Sequence, residues 1–100
     1  MPRAVWTPVA GADLDDILFY ISFVDRNPDT GERIYYEICD VVNGHAEKSL
    51  PGHRHPDAPD GWLYLRYKRW LIFYQPHAEG IEVMRLIDAV RDLPRHLRDP

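Results

Sequence analysis

Hydrophobic positions in the first third of the chain follow a helical spacing. Four of them recur at the i, i+3, i+4, i+7 spacing of one apolar stripe: Leu14, Ile17, Leu18 and Ile21. Thr7 and Pro8 mark the start of this predicted helix, because a threonine hydroxyl caps the first turn and proline there loses no hydrogen bond. Residues 4–6 precede it as a short predicted first strand.

A second helical pattern begins at Asn27-Pro28, which repeats the combination of capping residue and proline. Its apolar stripe consists of Ile34, Ile38, Val41, Val42 and His45, and the pattern stops at Pro51-Gly52. Only about three residues connect the two predicted helices, so they are expected to fold back on each other as an antiparallel hairpin.

The second half of the chain has the pattern of strands. Residues 51–61 contain three prolines and two glycines and predict a loop, and strands are predicted over residues 62–67, 69–75 and 80–88. The fold class is therefore α+β, in the order β-α-α-β-β-β. The helical hairpin is expected on one face of a mainly antiparallel four-stranded sheet, with a short helix at the C-terminus.

Both faces of the predicted sheet carry apolar residues. Strict alternation in the last strand gives two sets, with Ile81, Val83, Arg85 and Ile87 on one face and Met84 and Leu86 on the other. A helical hairpin covers only one face of a sheet. The second face is thus expected to be covered by the C-terminal segment, by another protein, or by both.

Size and composition indicate one globular domain over residues 1–100, with 45% hydrophobic and 28% charged residues. No apolar run approaches the ~20 residues of a membrane span, and the N-terminus lacks the apolar stretch of a secretory signal. The single cysteine, Cys39, has no partner for an internal disulfide. These features predict a cytoplasmic protein that does not associate with membranes.

Charge is distributed unevenly along the chain. Residues 1–60 hold five Lys/Arg against eleven Asp/Glu, whereas residues 61–100 hold seven against five. The positive surface therefore belongs to the C-terminal part, but it is weak for a protein that binds nucleic acid through phosphate contacts. A protein partner is at least as consistent with this balance.

Common catalytic motifs are absent: the sequence has no G-x-S-x-G, no P-loop and no H-E-x-x-H. What remains is a cationic set of Arg66, Lys68, Arg69, Arg85 and Arg91. Such a set either stabilises charge on a scissile phosphate or forms a solvated strand edge. Because they interrupt apolar strands, Arg66 and Arg85 are expected to point to solvent or to a partner.

The histidines and the cysteine offer little chemistry. His53 and His55 stand two apart in the loop near Asp57, but no cysteine or second histidine pair completes a zinc site. His45 and Cys39 accompany the stripe of the second helix and are interpreted as packing residues. No metal and no cofactor are expected.

The order of elements and a series of short motifs resemble the ParE/RelE toxin superfamily of bacterial toxin–antitoxin systems. The motifs occur in the family's order over almost the whole chain: Thr7-Pro8, Asp13-Leu14, Tyr20-Ile21, Leu65-Arg66, Ile72-Phe73-Tyr74, Gly80-Ile81-Glu82, Met84-Arg85 and Arg91-Asp92-Leu93. The closing Arg-Asp-Leu and the acidic first helix resemble the ParE branch, whose members poison DNA gyrase and are neutralised by a ParD-like antitoxin.

This resemblance implies a toxin that acts by binding gyrase without covalent chemistry and that contacts operator DNA only through its antitoxin. The residues expected to bind the target or the antitoxin are Arg66, Arg85, Arg91, Asp92, Leu93 and Leu97. Asp92 and Pro94 predict a short helical turn that folds Leu93 and Leu97 back on the sheet.

Two alternatives remain open. A RelE-like, ribosome-dependent mRNA endonuclease would use Arg66, Arg85 and Arg91 on the phosphate, with Asp88 where many relatives have histidine. The aspartate argues against it, because a negative charge there faces the RNA phosphate and no histidine protonates the leaving group. A decayed toxin acting only in an antitoxin–repressor complex is the second alternative.

Overall fold

The computed structural model of the protein describes residues 2–48 and 51–89. Its elements are strand β1 (Arg3–Trp6), helix α1 (Pro8–Phe19), a π-helical turn (Tyr20–Val24), helix α2 (Pro28–Lys48), and strands β2 (Leu63–Tyr67), β3 (Trp70–His77) and β4 (Gly80–Asp88). The predicted order β-α-α-β-β-β is confirmed. The predicted C-terminal helix falls outside the described residues.

The four strands form one mixed sheet in the order β1-β4-β3-β2. β1 runs parallel to β4, and the other two pairs are antiparallel. β1 ends at Trp6, opposite Val83, and the chain then turns into α1. The C-terminal half of β4 therefore extends beyond its neighbour β1, and α1 lies along this edge.

Both helices begin where the sequence predicts. The Thr7 hydroxyl accepts a hydrogen bond from the Ala10 amide at 3.1 Å, and the Asn27 side-chain oxygen accepts one from the Thr30 amide at 3.4 Å. These caps satisfy amide donors that have no partner inside the first turn of a helix. The sequence did not predict the π-helical turn that follows α1.

The main core lies between the helices and one face of the sheet. Its buried apolar side chains come from both layers and include Leu14, Ile34, Ile38, Val42, Ile72, Val83 and Leu86. The helical stripes read from the sequence are thus confirmed as the inner surface of the hairpin. At the end of α2, His45 is 8% exposed, as expected of a packing residue.

A β-bulge changes the alternation of β4. Phe73 of β3 pairs with Arg85, whereas the next residue, Tyr74, pairs with Val83, so Met84 is the extra residue. Val83 consequently lies in the main core and Ile87 on the opposite face. The expectation that these two share a face was wrong, because the bulge shifts the two-residue period by one.

The sheet face opposite the helices, called here the second face, carries a smaller core. Leu71, Phe73 and Ile87 are each less than 9% exposed, and Ala58 and Trp62 from the loop pack against them. The backbone of His53 in the same loop pairs with Tyr64 of β2. Part of this face is therefore covered by residues 51–62, which the sequence prediction had not considered as a cover.

Candidate binding site

Arg85 on β4 is held against α1. Its Nε donates to Asp13 Oδ2 at 2.8 Å and its Nη2 donates to Asp13 Oδ1 at 3.2 Å. Asp13 Oδ2 also accepts from the Leu86 amide at 3.0 Å, on the part of β4 that extends beyond β1. The Asp13 carboxylate thus accepts hydrogen bonds both from the guanidinium of Arg85 and from a backbone amide at the edge of the sheet.

The expectation that Arg85 points to an open face was therefore wrong. Its side chain is only 11% exposed and that of Asp13 only 16%. The pattern of β4 gives no sign of this partner, because Asp13 lies 72 positions away in the sequence, on the polar side of α1. In the fold, this side of α1 lies along the edge of β4, where the Asp13 carboxylate accepts hydrogen bonds from Arg85 and from the Leu86 amide.

Asp88, which stands where many relatives in the ribonuclease alternative have histidine, also has a partner. It forms an ion pair with Arg69, in which the aspartate side chain is 16% exposed and the arginine side chain 50% exposed. The hydrogen bond to Asp88 is the main reason why the pKa of Arg69 is raised above its usual value. The ion pair of Asp88 with Arg69 therefore connects β4 to the turn between β2 and β3.

Arg66 is exposed, as predicted, and lies on the second face. Its Nε donates to the Lys68 carbonyl oxygen at 2.9 Å. Arg66 and Arg85 belong to β2 and β4, with β3 between them, so the two strands are about 10 Å apart. With Arg85 directed to Asp13, the structure does not bring these two arginines together as a clamp for a phosphate.

The remaining residues of the predicted site, Arg91, Asp92, Leu93 and Leu97, lie outside the described residues. Their roles stay predictions.

Sequence reasoning missed an apolar surface on the helical hairpin. Within the described residues, the exposed large hydrophobic side chains all belong to residues 9–36: Val9, Phe19, Tyr20, Phe23, Val24, Tyr35 and Tyr36. The signal was present in the sequence. Phe19, Tyr20 and Phe23 add apolar positions outside the buried stripe, and clustered apolar residues on an outer surface indicate a contact with a partner.

Part of this surface forms a groove of about 470 Å³ between the end of α1 with its π-helical turn and one end of the sheet. We call it the hairpin groove. Its apolar lining consists of Ile17, Phe19, Tyr20, Ile21, Val24 and Trp70. Asp16, Asp25, Asp88 and Arg69 supply its charged lining, which gives an excess of two negative charges.

A second cleft, of about 780 Å³, lies at the other end of the sheet beside His45 and Tyr74. The His45 Nε2 and the Tyr74 hydroxyl are 2.6 Å apart and hydrogen-bonded. Burial lowers the pKa of His45 and raises that of Tyr74, so both groups are neutral near pH 7. The pair ties the end of α2 to β3.

In residues 2–48 and 51–89, no cluster of three or more histidine, cysteine or acidic side chains has a geometry suited to a metal ion. The helices of the same ranges include none long and apolar enough to cross a membrane.

The family model for the ParE toxin of the type II toxin–antitoxin system parDE matches residues 4–93. The chain belongs to the ParE toxin family. The match extends from β1 to Leu93 and so includes both helices and all four strands. No curated protein is significantly similar to the chain in sequence.

A solved structure shares the ParE fold. It is a chain of the chromosomal ParDE toxin–antitoxin system from P. aeruginosa, superposed with a TM-score of 0.69. The two are 19% identical, and the alignment covers 88% of this chain and 96% of that one. At this identity the likeness concerns the arrangement of helices and strands rather than individual site residues.

Proposed function

We propose that this member of the ParE family inhibits DNA gyrase by binding and performs no covalent chemistry of its own. The observation that carries the proposal is the engagement of the charged residues on β4. Arg85 pairs with Asp13 and Asp88 pairs with Arg69. A ribonuclease would need the arginine directed to a substrate phosphate and the aspartate directed to a group that gains or loses a proton during cleavage.

The exposed apolar side chains and the net charge of the chain also support binding to a protein target. The exposed apolar side chains of the helical hairpin form the kind of patch that marks protein–protein contacts in soluble proteins. The net charge of −4 and the weak basic balance of the C-terminal part give little electrostatic attraction for RNA. A protein target fits these properties better than a nucleic acid.

The proposed neutralising partner is a ParD-like antitoxin. The structurally similar P. aeruginosa chain comes from a ParDE system, and family membership extends the expectation of an antitoxin to this chain. Operator DNA would then be contacted by the antitoxin and only indirectly by the toxin. Both proteins would act in the cytoplasm, where gyrase is found.

Controlled expression in bacteria tests this function. Induction of the chain should activate a DNA-damage reporter before any change in mRNA integrity, and co-expression of the neighbouring ParD-like protein should restore growth. The complex should bury at least the ~1,200 Å² of a standard protein interface. Cleavage of mRNA that precedes the damage response would overturn the proposal in favour of a ribonuclease.

A folded chain that leaves growth unaffected would also overturn the proposal. That result would favour a decayed toxin whose remaining role is to form a repressor complex with the antitoxin. Circular dichroism of the purified chain supplies the necessary control for folding.

A further inference from the structure

Positive charge is concentrated at the turn between β2 and β3, although the chain as a whole has a net charge of −4. Residues 66–69, called here the basic tip, read Arg-Tyr-Lys-Arg, and the three cations are exposed. Acidic side chains of α2 and β4 pair with Lys68 and Arg69. The described part of the chain contains no acidic side chain within ion-pair distance of Arg66. The charge of Arg66 is therefore available to a partner.

The guanidinium of Arg66 is held in place by the turn. Its Nε donates a hydrogen bond to the Lys68 carbonyl oxygen at 2.9 Å, whereas its two Nη groups make no hydrogen bond with the described residues. A pair of Nη groups matches two oxygens of a phosphate or a carboxylate. Because the side chain is already ordered, binding an anion costs it less conformational entropy than a freely rotating arginine would lose.

The backbone that holds Arg66 is itself unusual. Lys68 is the first residue of a two-residue hairpin turn, and its φ of +55° lies in the left-handed region that favours glycine. The ion pair of its Nζ with Glu37 accounts for the side chain but not for this backbone conformation. Residues in such conformations cluster at functional sites. The strained residue is also the one whose carbonyl oxygen orients the unpaired guanidinium.

The surroundings of the basic tip favour a nucleic-acid phosphate over an acidic protein surface. Protein contacts are built around apolar or aromatic anchors. The exposed large hydrophobic side chains of the described residues lie within residues 9–36, and none of them is on β2, β3 or the turn. A contact made by exposed cations without such anchors is typical of binding to a DNA backbone.

The rest of the chain sets limits on this contact. Residues 90–100 contain three arginines against two aspartates, so they offer no negative excess to the basic tip. The net charge of −4 gives no long-range attraction for DNA. A phosphate contact therefore requires that a protein target already holds the chain beside DNA.

We propose that the basic tip contacts the phosphodiester backbone of DNA bound to gyrase, with the Nη groups of Arg66 on the oxygens of one phosphate. The chain would then bind the gyrase–DNA complex more tightly than gyrase alone. The inference rests on the proposed function, which supplies the source of the DNA.

Binding of the full-length chain to immobilised gyrase, with and without a bound DNA duplex, tests the proposal. Biolayer interferometry should show at least about tenfold tighter binding when DNA is present. Arg66→Gln should remove most of this gain and leave binding to DNA-free gyrase within about twofold. The dependence of log Kd on log salt should be steeper by about one with DNA present, and Arg66→Gln should abolish the difference.

Two further variants separate the position of the charge from its amount. Arg54 is also exposed and has no ion pair within the described ranges, but it lies in the loop before β2. Arg54→Gln should therefore retain the full gain with DNA. Arg66→Lys keeps the charge but loses the pair of Nη groups, so an intermediate gain is expected. Circular dichroism confirms the fold of each variant.

A second measurement does not need gyrase. Nuclear magnetic resonance spectra of the ¹⁵N-labelled full-length chain are recorded at low salt with a short DNA duplex and, separately, with polyglutamate. The DNA should shift the Nε–H resonance of Arg66 and the amide resonances of residues 67–69, and polyglutamate should shift them less. In Arg66→Gln the amide shifts should be lost.

The two measurements distinguish the possible failures. An equal gain with DNA for the original chain and Arg66→Gln would overturn the proposal, as would larger shifts with polyglutamate, which would assign the tip to an acidic protein. Shifts confined to residues 90–100 would also overturn it and assign the phosphate contact to that segment. Binding to neither form of gyrase would overturn the proposed function. Shifts of the basic tip by DNA in that case would uphold the phosphate contact, and their absence would overturn both.

Discussion

The second face of the sheet and the outer surface of the helical hairpin differ in how much of their apolar and charged side chains the chain itself covers or pairs. On the sheet, Phe73 is fully buried and Arg85 is bound by Asp13. On the hairpin, Phe19 remains 60% exposed beside the acidic groove. The comparison teaches that Arg85, which stands out in the pattern of the last strand, serves the fold, whereas the helical hairpin presents exposed apolar side chains.

The largest effect should come from comparing two phenylalanines. Phe73→Ala removes a fully buried ring from the second face and should lower the free energy of unfolding by about 3–5 kcal/mol. Phe19→Ala changes an exposed ring and should alter it by about 0.5 kcal/mol or less. Urea unfolding of both variants measures the difference. Similar losses in the two variants would contradict the contrast between the surfaces.

Arginines give the next comparison. Arg85→Ala leaves the Asp13 carboxylate, 16% exposed, without its guanidinium and should cost about 3 kcal/mol. Arg66→Ala, at an exposed position, should cost about 0.5 kcal/mol or less. The double variant Asp13→Leu/Arg85→Leu should recover much of the loss, because removing both charges leaves neither one unpaired. Failure of the double variant to recover stability would show that more than the ion pair is lost.

Acid should destabilise the protein through His45. Burial lowers the pKa of His45 in the folded state, so below its ordinary value of about 6.5 the unfolded chain takes up a proton that the folded chain does not. The stability contributed by the neutral, buried histidine is thus present above that pH and is lost as pH falls toward the folded-state pKa. Unfolding curves between pH 5 and pH 8 measure the slope, which should be smaller in His45→Gln.

The smallest effect concerns the contact between α2 and β2. The Tyr67 hydroxyl donates a hydrogen bond to Glu37, and burial together with this bond raises the pKa of Tyr67 to about 12. The same bond lowers the pKa of Glu37. The ultraviolet titrations of the original chain and of Tyr67→Phe should differ by one tyrosine that ionises about two pH units above the ordinary value of about 10. An unchanged titration would place that contact in doubt.

Much of this fold follows from local sequence signals. Thr7-Pro8 and Asn27-Pro28 predict both helix starts because capping needs only a side-chain oxygen and an amide three residues away. The predicted strand over residues 80–88 agrees with β4, since alternating apolar residues between turns have few other solutions. Element type and order were therefore predictable.

The parts that could not be predicted depend on single-residue shifts and on distant partners. The π-helical turn and the bulge at Met84 each insert one residue without a glycine or proline to mark it. The pairing of Arg85 with Asp13 joins residues 72 positions apart and depends on where α1 crosses the sheet edge. The exposure of Val24 in the hairpin groove likewise belongs to the π-helical turn, which the sequence did not predict.

We propose that the chain acts by binding and that Arg85 supports the fold rather than a reaction. The most direct test adds the purified chain and the Asp13→Leu/Arg85→Leu variant to purified DNA gyrase and, separately, to translating ribosomes. We predict that both proteins cause cleaved DNA–gyrase complexes to accumulate and that both leave mRNA intact. Cleavage of mRNA by the original chain, lost in the double variant while the fold is retained, would contradict it.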